Sequence, residues 1–467
     1  MHRQIIPTHP IVTGVKDFGD KYCQRRRMWS YFPELLERAV PRYTSFPTAA
    51  EFRPLEQQNV MEENLGAIPT GSDISLYLHI PYCNEICHYC ACNTGRANRK
   101  KRLQSYLYAL HREIGLVAGN LTGPVNVRRV AFGGGSPNAI APDEFVQIVE
   151  QLAKYFDFKD TELSVELDPR DFTEDWAMAL GRVGATHASM GVQTFAPHVQ
   201  DAIGRIQPSR LIANAVGQLR ANGIASINFD MMYGLPGQTV MDLADSLKQA
   251  IALRPDRIAL FGYAHLPDRI PRQRCIDTRL MANQTQRFAM SALGYRNLLE
   301  AGYQAIGFDH FALPDDPLAK ASRSGKISRN FQGYTDDSSP YLIGLGASAI
   351  SIFPDQILQN AKNVGAYRNA IFDGRLAPSL GIRRTRQDMM RARIIEDILC
   401  RGRADLGEMA DSDGLAEAIK PFEERNLIQH QNRQITCNES ATPYLRTIAA
   451  IFDPYRTKTG PQFSNAI

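Results

Sequence analysis

The stretch Tyr77-Leu-His-Ile-Pro-Tyr-Cys83-Asn-Glu-Ile-Cys87-His-Tyr-Cys90-Ala-Cys92 holds four of the eight cysteines in the chain. Three of them, Cys83, Cys87 and Cys90, have the spacing C-x3-C-x2-C. Thiolates clustered this tightly usually bind metal or carry out redox chemistry. A cubic iron–sulfur cluster normally takes four cysteine ligands, so three would leave one iron for a ligand that is not protein. We therefore expect the rest of the chain to be a scaffold that brings a substrate to that iron.

A structural zinc site is the main alternative for this motif. Zinc sites usually add a second pair of cysteines or histidines a dozen or more residues away. The next cysteine is Cys275, and His79 and His88 give no zinc-finger spacing. The pattern favours an iron–sulfur cluster and leaves zinc open.

The motif directly follows the first of six short apolar segments that alternate with helical patterns. The predicted strands lie at 75–80, 127–132, 163–167, 187–192, 226–230 and 257–262. Helical periodicity is found at 103–117, 143–156, 174–183, 209–222 and 240–253, with a further helix near 282–302 and a strand near 303–308. Strands that alternate with helices form parallel sheets with right-handed crossovers. The sequence therefore predicts an α/β fold, a partial (β/α)6 TIM-like barrel followed by a smaller, mostly helical C-terminal domain.

We expect three parts along the chain: an N-terminal extension at 1–40, a catalytic domain at 41–370 and the mostly helical domain at 371–467. Turn-forming residues predict a loop at 309–338. The last part shows helical patterns near 385–400, 405–410, 413–425 and 442–452, with a strand pair at 427–436. This order is typical of a DNA-binding winged helix or of a cap over an active site, and the pattern does not separate the two.

Composition indicates an ordinary globular enzyme in a reducing compartment. The chain has 467 residues, 44% of them hydrophobic and 22% charged, with a formal net charge of +4, which does not by itself imply nucleic acid. The cysteines do not resemble a disulfide framework. The sequence lacks a secretory pattern near residue 1 and has no apolar run of about 20 residues. We expect a cytoplasmic protein without membrane or nucleic-acid partners.

Polar or glycine residues end several predicted strands. Gly133-Gly-Gly-Ser-Pro137 follows the second strand, and its backbone N–H groups could bind a carboxylate or phosphate. It is not G-x-G-x-x-G, which disfavours a dinucleotide fold. Glu166, Gln193 and Asp230 end the next three strands. Each could cap a helix, but together they are expected to line one mouth of the barrel.

These residues resemble the radical S-adenosylmethionine (SAM) superfamily, whose signature is C-x3-C-x2-C followed by a glycine triplet one strand later. Further motifs are similar to the oxygen-independent coproporphyrinogen III oxidase family. They are Pro41-Arg-Tyr-Thr-Ser-Phe-Pro-Thr-Ala, Cys92, Gly191-Val-Gln, Tyr263-Ala-His-Leu-Pro267, Asp309-His-Phe-Ala and Arg329-Asn-Phe-Gln-Gly-Tyr-Thr. The similarity runs from about residue 41 to the C-terminus.

The resemblance implies a [4Fe–4S] cluster on Cys83, Cys87 and Cys90, with SAM on the open iron. Cleavage of SAM would give a 5′-deoxyadenosyl radical that takes hydrogen from the β-carbon of a substrate propionate, which then loses carbon dioxide and one electron to become a vinyl group. By similarity, the residues that hold the cluster-bound SAM are Tyr77, Tyr89, Gly134, Glu166 and Ile350. Those of a second SAM molecule are Gly135, Ser136, Gln193, Arg205, Asp230 and Ala264.

The remaining expectations concern partners and departures from the family. Cys92 matches a cysteine that is not a cluster ligand and is the candidate catalytic residue. The resemblance implies coproporphyrinogen III as substrate, a flavodoxin- or ferredoxin-type electron donor and a monomer. Thr94 and Asn465 stand where family members often have lysine and arginine. The alternative function is that of a haem-binding chaperone of the same superfamily, whose members typically lack the equivalents of Cys92 and of the Pro41–Thr48 segment.

Overall fold

The computed structural model describes residues 29–57, 59–97 and 100–456. Most of the predicted N-terminal extension, the departure at Asn465 and Cys23 lie outside the described residues. Within the described part, no helix is long and apolar enough to cross a membrane.

The strands are numbered in chain order. They are β1 (Arg53–Pro54), β2 (Asp73–Ile80), β3 (Tyr82–Cys83), β4 (Gly95–Arg96), β5 (Asn126–Gly134), β6 (Glu162–Leu167), β7 (His187–Gln193), β8 (Ser226–Tyr233), β9 (Arg257–Gly262), β10 (Gln304–Ile306), β11 (His310–Ala312), β12 (Ser328–Asn330), β13 (Gly333–Thr335), β14 (Tyr341–Leu345), β15 (Ile350–Ile352), β16 (Gln356–Asn360), β17 (Pro378–Arg383), β18 (Arg403–Asp405), β19 (Ile428–Gln431) and β20 (Gln434–Cys437).

The α-helices are numbered in the same way. They are α1 (Val60–Gly66), α2 (Lys100–Gly119), α3 (Pro142–Ala153), α4 (Glu174–Arg182), α5 (Pro197–Ala202), α6 (Ser209–Ala221), α7 (Val240–Ala252), α8 (Gln284–Glu300), α9 (Pro317–Arg323), α10 (Val364–Phe372), α11 (Arg386–Arg401), α12 (Leu415–Glu423) and α13 (Leu445–Ala449).

The six predicted strands form the parallel centre of a 13-stranded sheet, in the order β2-β5-β6-β7-β8-β9. Each is followed in the chain by a long helix. The predicted apolar face of α2 is buried, from Leu103 to Val117, because residues three and four apart share one side of a helix. The predicted fold class, a partial (β/α)6 barrel, is confirmed.

Both edges of the sheet contain strands that the sequence pattern missed. β14 adds a parallel strand beside β2, and β15, β16, β17 and β1 extend that edge in antiparallel order. At the other edge, the predicted strand near 303–308 is β10, which reaches the sheet through β11. The loop predicted at 309–338 is wrong, because this segment contains β11, α9 and the β12–β13 hairpin. β11 pairs with β10 and with the distant β9, whereas β12 and β13 pair with each other. β11, β12 and β13 each have three residues, too few for an alternating pattern to be visible in the sequence.

The C-terminal part contains three α-helices and a small sheet in the order β18-β20-β19. The predicted strand pair is present, and β18 is an additional strand. β17 still belongs to the large sheet, beyond the expected boundary at residue 370. The three-part division of the chain stays a prediction.

The C-terminal part and the segment that begins at Trp29 share one contiguous apolar core with the barrel. The Tyr444 hydroxyl donates to the carbonyl of Ser30 at 2.7 Å and accepts from the N–H of Phe32 at 2.9 Å. Nε of Arg446 donates to the carbonyl of Pro41 at 3.1 Å. The two ends of the described chain are therefore tied together beside the barrel.

Candidate functional site

The cysteine motif forms a loop at the carboxyl end of β2, the end at which α/β barrels build active sites. β3 pairs in parallel with β4, which sets Cys83 opposite Arg96. The N–H of Ala97 donates to the carbonyl of Cys83, and that of His88 to the carbonyl of Ile203, each at 3.0 Å. Backbone hydrogen bonds therefore fix the loop at its base and at its middle.

Cys87 is buried, and its sulfur accepts hydrogen bonds from two guanidinium groups. Nη2 of Arg170 is 3.4 Å and Nη1 of Arg205 is 3.3 Å from Cys87 Sγ. Both arginines also form ion pairs with Asp168, at 2.6 and 2.9 Å, and Arg170 reaches Glu85 in the cysteine loop at 2.7 Å. The Cys87 sulfur is therefore held in place by two guanidinium donors that are themselves fixed by Asp168.

The sulfurs of Cys83 and Cys90 are hydrogen-bond acceptors as well. Thr94 Oγ1 lies 3.5 Å from Cys83 Sγ, and the N–H of Cys92 lies 3.4 Å from Cys90 Sγ. The Cys92 thiol also donates to Cys90 and lowers the pKa of the Cys90 thiol to about 6. Burial raises the pKa of the Cys83 thiol to about 11. Metal binding would displace the proton of this thiol, because a coordinating thiol is deprotonated. The three motif sulfurs thus have the surroundings of cluster ligands, whereas Cys92 acts as a donor.

No group of three or more His, Cys, Asp and Glu side chains in the described residues is gathered around a single point where one metal ion could bind. A cubic cluster differs from a single ion because each cysteine binds its own iron. The assignment of Cys83, Cys87 and Cys90 as iron ligands, with zinc as the alternative, stays a prediction.

The glycine triplet packs the cysteine loop against the barrel. Gly134 has a φ of +112°, and a Cβ there would lie 2.4 Å from the ring of His79. A Cβ on Gly135 would lie 2.5 Å from the carbonyl oxygen of Tyr82. Because side chains would clash here, glycine is required at both positions.

The triplet does not offer free N–H groups to a ligand, contrary to the sequence-based expectation. The N–H of Gly134 donates to Glu166 at 3.2 Å. Those of Gly135 and Ser136 donate to the carbonyls of Ile80 and Tyr82, at 2.8 and 2.7 Å. These three donors are thus occupied by the Glu166 carboxylate and by two backbone carbonyls.

Glu166 and Asp230 line the same cavity inside the barrel. Burial, and next the charge of Asp230, raise the pKa of Glu166 to about 7. Burial also raises the pKa of Asp230, which accepts hydrogen bonds from Ser189 and Asn228 at 3.1 and 2.9 Å. The two carboxyls therefore share one polar cavity of the barrel, although Asp230 lies three residues before the end of β8 and not at the strand end. Their role in binding a ligand stays a prediction.

Gln193 and Arg205 lie on the side of the barrel that carries Cys87. Gln193 ends β7 with a φ of +63°, an uncommon value for a residue other than glycine. Such backbone conformations tend to occur at functional sites. The Arg205 side chain is 6% exposed and donates to the carbonyl of Gly191 at 2.6 Å. Arg205 therefore links the cysteine loop to the end of β7.

Tyr77 and Ile350 lie on neighbouring parts of the sheet. The Tyr77 hydroxyl is hydrogen-bonded to His79 Nδ1 at 3.1 Å. The rings of Tyr77 and Phe331 pack in a T-shaped arrangement with their centroids 4.7 Å apart. Tyr77 also packs with Ala349, the residue before Ile350. Burial, and next the charge of Glu166, raise the pKa of the Tyr77 hydroxyl, so the two side chains lie within electrostatic reach of each other.

Tyr89 and Ala264 are brought together by Gln273, which the sequence pattern did not single out. The amide of Gln273 donates to the carbonyls of Tyr89 and Ala264, at 2.8 and 3.0 Å. Gln273 is fully buried. One side chain therefore ties the cysteine loop to the segment after β9.

Sequence reasoning also missed Asp168, Arg170 and two residues of the 309–338 segment. Asn330 and Gln332 line the barrel cavity together with Glu166. Asp168 and Arg170 directly follow β6, and that position at a strand end was an available signal. Asn330 and Gln332 belong to the Arg329–Thr335 motif that carried the family resemblance, but no strand pattern indicated that this segment lines the barrel cavity.

Comparison with known proteins places this site in a family. A family model described as the radical SAM superfamily matches residues 77–250. An oxygen-independent coproporphyrinogen III oxidase of Bradyrhizobium diazoefficiens is 39% identical, over 90% of this chain and 95% of the relative. One of Pseudomonas aeruginosa is 35% identical, over 91% and 96%.

A solved structure agrees with these sequence relatives. It is a coproporphyrinogen III oxidase from Escherichia coli, described as a radical SAM enzyme, with a TM-score of 0.85 and 32% identity. The match covers 92% of this chain and 100% of the solved chain. The family resemblance inferred from the motifs is confirmed. The chain belongs to the oxygen-independent coproporphyrinogen III oxidase family of the radical SAM superfamily.

Proposed function

We propose that this chain decarboxylates two propionate side chains of coproporphyrinogen III to vinyl groups without oxygen, giving protoporphyrinogen IX. The observation that carries the proposal is the set of three hydrogen-bonded sulfurs, Cys83, Cys87 and Cys90, beside a polar barrel cavity. When bound, the [4Fe–4S] cluster and SAM supply a 5′-deoxyadenosyl radical, which removes a hydrogen atom from the propionate β-carbon. The protein's own part is to bind, orient and shield the reactants.

The first SAM molecule would be held by the residues nearest the cysteine loop. These are Tyr77, Tyr89, Gly134, Glu166 and Ile350. A pKa of about 7 leaves Glu166 partly ionised at neutral pH. A cationic or hydroxyl-rich ligand beside it would favour the carboxylate, because an opposite charge or a donor stabilises the ionised form.

A second SAM molecule would use residues at the ends of the later strands. These are Gly135, Ser136, Gln193, Arg205, Asp230 and Ala264. The assignment of Asp230 to this site is supported by its position in the cavity, and that of Gln193 by its positive φ. Arg205 already forms an ion pair with Asp168 and a hydrogen bond to Cys87. It would therefore act on the SAM molecule through its fixed charge rather than by reorienting its side chain.

Arg272 is the best candidate among the arginines for a propionate carboxylate. Its Nη1 is buried without a hydrogen-bond partner among the described residues, and its charge acts on Cys90. By contrast, Arg42 stacks on Phe261 at 4.8 Å and donates to the carbonyl of Gly262. Because an unpaired buried donor is costly, Arg272 is suited to a carboxylate that arrives with the substrate.

The test is anaerobic turnover of coproporphyrinogen III with SAM and a reductant. The reconstituted protein is expected to release 5′-deoxyadenosine, carbon dioxide and protoporphyrinogen IX, and C83A to release none. C437A, which removes a cysteine of β20 outside the motif, serves as the control. An intact cluster that consumes no porphyrinogen contradicts the proposal, and stoichiometric haem binding without turnover would favour the chaperone.

Some partner assignments rest on the family resemblance alone. We propose a flavodoxin- or ferredoxin-type electron donor, a monomeric state and a cytoplasmic location. Cys92 is proposed to support catalysis through its hydrogen bond to Cys90 rather than as an iron ligand. Size-exclusion chromatography with light scattering tests the monomer.

A further inference from the structure

A strongly basic segment follows the cysteine loop. Five of the seven residues from 96 to 102 are arginine or lysine. Arg96, Lys100, Lys101 and Arg102 are exposed. These four residues and the exposed Lys362 are called the basic rim below.

The basic rim lies beside the proposed cluster site. Arg96 is the strand partner of Cys83, so their backbones are about 4.8 Å apart. The charge of Arg102 acts on Tyr82, the residue before Cys83. On the other side, the amide of Asn93 donates to the carbonyl of Lys362 at 3.0 Å. The rim thus borders the loop that carries the cysteines.

The charges of the rim are not neutralised within the described chain. None of its five residues forms an ion pair with another described residue. Three of them open α2, whose first turn has no acidic residue. Basic residues there oppose the helix dipole, whose positive end adds to the same field. These residues therefore lower the stability of the first turn of α2, and they produce a positive surface at one edge of the site.

We propose that the basic rim is the docking surface for an acidic redox protein that delivers the electron to the cluster. The inference rests on the proposed function, because a radical SAM cluster must be reduced by one electron from outside. A positive patch steers an acidic partner to its encounter and raises the association rate. Electron-transfer complexes use small interfaces, below about 1,200 Å², so five side chains around one loop form a sufficient contact. The hydroquinone of an acidic flavodoxin gives one electron and becomes the semiquinone, and the cluster goes from the 2+ to the 1+ state.

The test compares two variants that lose the same charge. K100Q/K101Q/R102Q removes three charges from the rim. R182Q/R383Q/R393Q removes three from α4, β17 and α11, outside the rim, where the side chains are 64%, 79% and 86% exposed. Flavodoxin hydroquinone is mixed with reconstituted protein in an anaerobic stopped-flow instrument, and reduction is read as loss of the cluster's visible absorption. No porphyrinogen is present, so failure of the docking surface is distinguishable from failure of the proposed activity.

The rim variant is expected to be reduced at least tenfold more slowly than the wild type at low salt. The control variant should stay within about twofold. At about 1 M salt, where the Debye length is about 3 Å, the three rates should converge. Photoreduced deazaflavin, a small donor that needs no docking, should reduce all three proteins alike.

Three results would overturn the proposal. The first is an equal loss of rate in both variants, which would indicate net charge rather than a surface. The second is a rim variant whose rate of reduction by flavodoxin is unchanged. A loss of binding to anionic phospholipid vesicles or to single-stranded RNA at that unchanged rate would assign the rim to one of those ligands instead. The third is a wild-type cluster that deazaflavin reduces and flavodoxin does not.

Discussion

At the residue scale, the four clustered cysteines fall into two roles. The sulfurs of Cys83, Cys87 and Cys90 accept hydrogen bonds, whereas Cys92 donates to Cys90. We expect C83A, C87A and C90A to lose the visible absorption and the acid-labile sulfide of the cluster. C92A should keep most of both, because the backbone N–H of residue 92 still donates to Cys90. A C92A protein without iron would contradict the three-ligand assignment.

Glu166 makes stability depend on pH in a predictable direction. Its pKa is raised from the usual 4.5 to about 7, so the unfolded chain releases this proton at lower pH than the folded protein does. Unfolding free energy of the cluster-free protein therefore falls as pH rises from about 4.5 to 7, by an amount on the order of 3 kcal/mol for this group. Urea unfolding across this range should show a smaller decline for E166Q. Equal declines would contradict the assigned pKa.

Arg272 is expected to affect substrate affinity more than the chemical step. Its unpaired Nη1 is suited to a carboxylate, and a lost charge-assisted hydrogen bond costs about 1.5–3 kcal/mol. R272Q should therefore raise KM about tenfold or more in the anaerobic assay, with kcat changed less. The exposed neighbour Arg274, as R274Q, is the control. A fall in kcat at constant KM would contradict a binding role.

At the element scale, the glycine turn after β5 holds the cysteine loop in place. A side chain at Gly134 would require both a left-handed backbone and displacement of His79. G134A should lower the free energy of unfolding by on the order of 3 kcal/mol and reduce cluster content. G217A is the matched control, since no atom lies within 4 Å of its Cβ in α6. It should stabilise by about 0.4–1 kcal/mol; a G134A protein as stable as wild type would show that the turn can relax.

The elements that the sequence predicted are those whose burial follows a local period. The alternating strand Ser226–Tyr233 and the apolar stripe of α2 are visible without any partner. β14 lies between β2 and β15 and begins with the apolar residues Tyr341, Leu342 and Ile343. It was missed because this run is short and is interrupted by the small residues from Gly344 onward. The site followed the same division. Glu166 and Asp230 were found because the sequence pattern placed them near the ends of predicted strands, whereas Gln273 and Arg170 act through contacts with residues far away in the chain.

At the scale of the whole molecule, the two ends of the described chain are joined through Tyr444. Its hydroxyl pairs with both the N–H of Phe32 and the carbonyl of Ser30, and the C-terminal part shares the barrel core. Y444F keeps the ring and leaves a backbone donor and an acceptor without their partner, at a cost of about 1–3 kcal/mol. Because the core is continuous, we expect one cooperative unfolding transition, with a Tm lowered by a few degrees.

Differential scanning calorimetry measures this result, with Y108F as the control because Tyr108 is 61% exposed. Two transitions in the wild type, with only one shifted in Y444F, would show instead that residues 371–467 unfold as a separate domain. A single shifted transition would mean that the C-terminal part stabilises the barrel on which the cysteine loop depends. Changes far from the cysteines would then lower cluster retention in proportion to their effect on global stability.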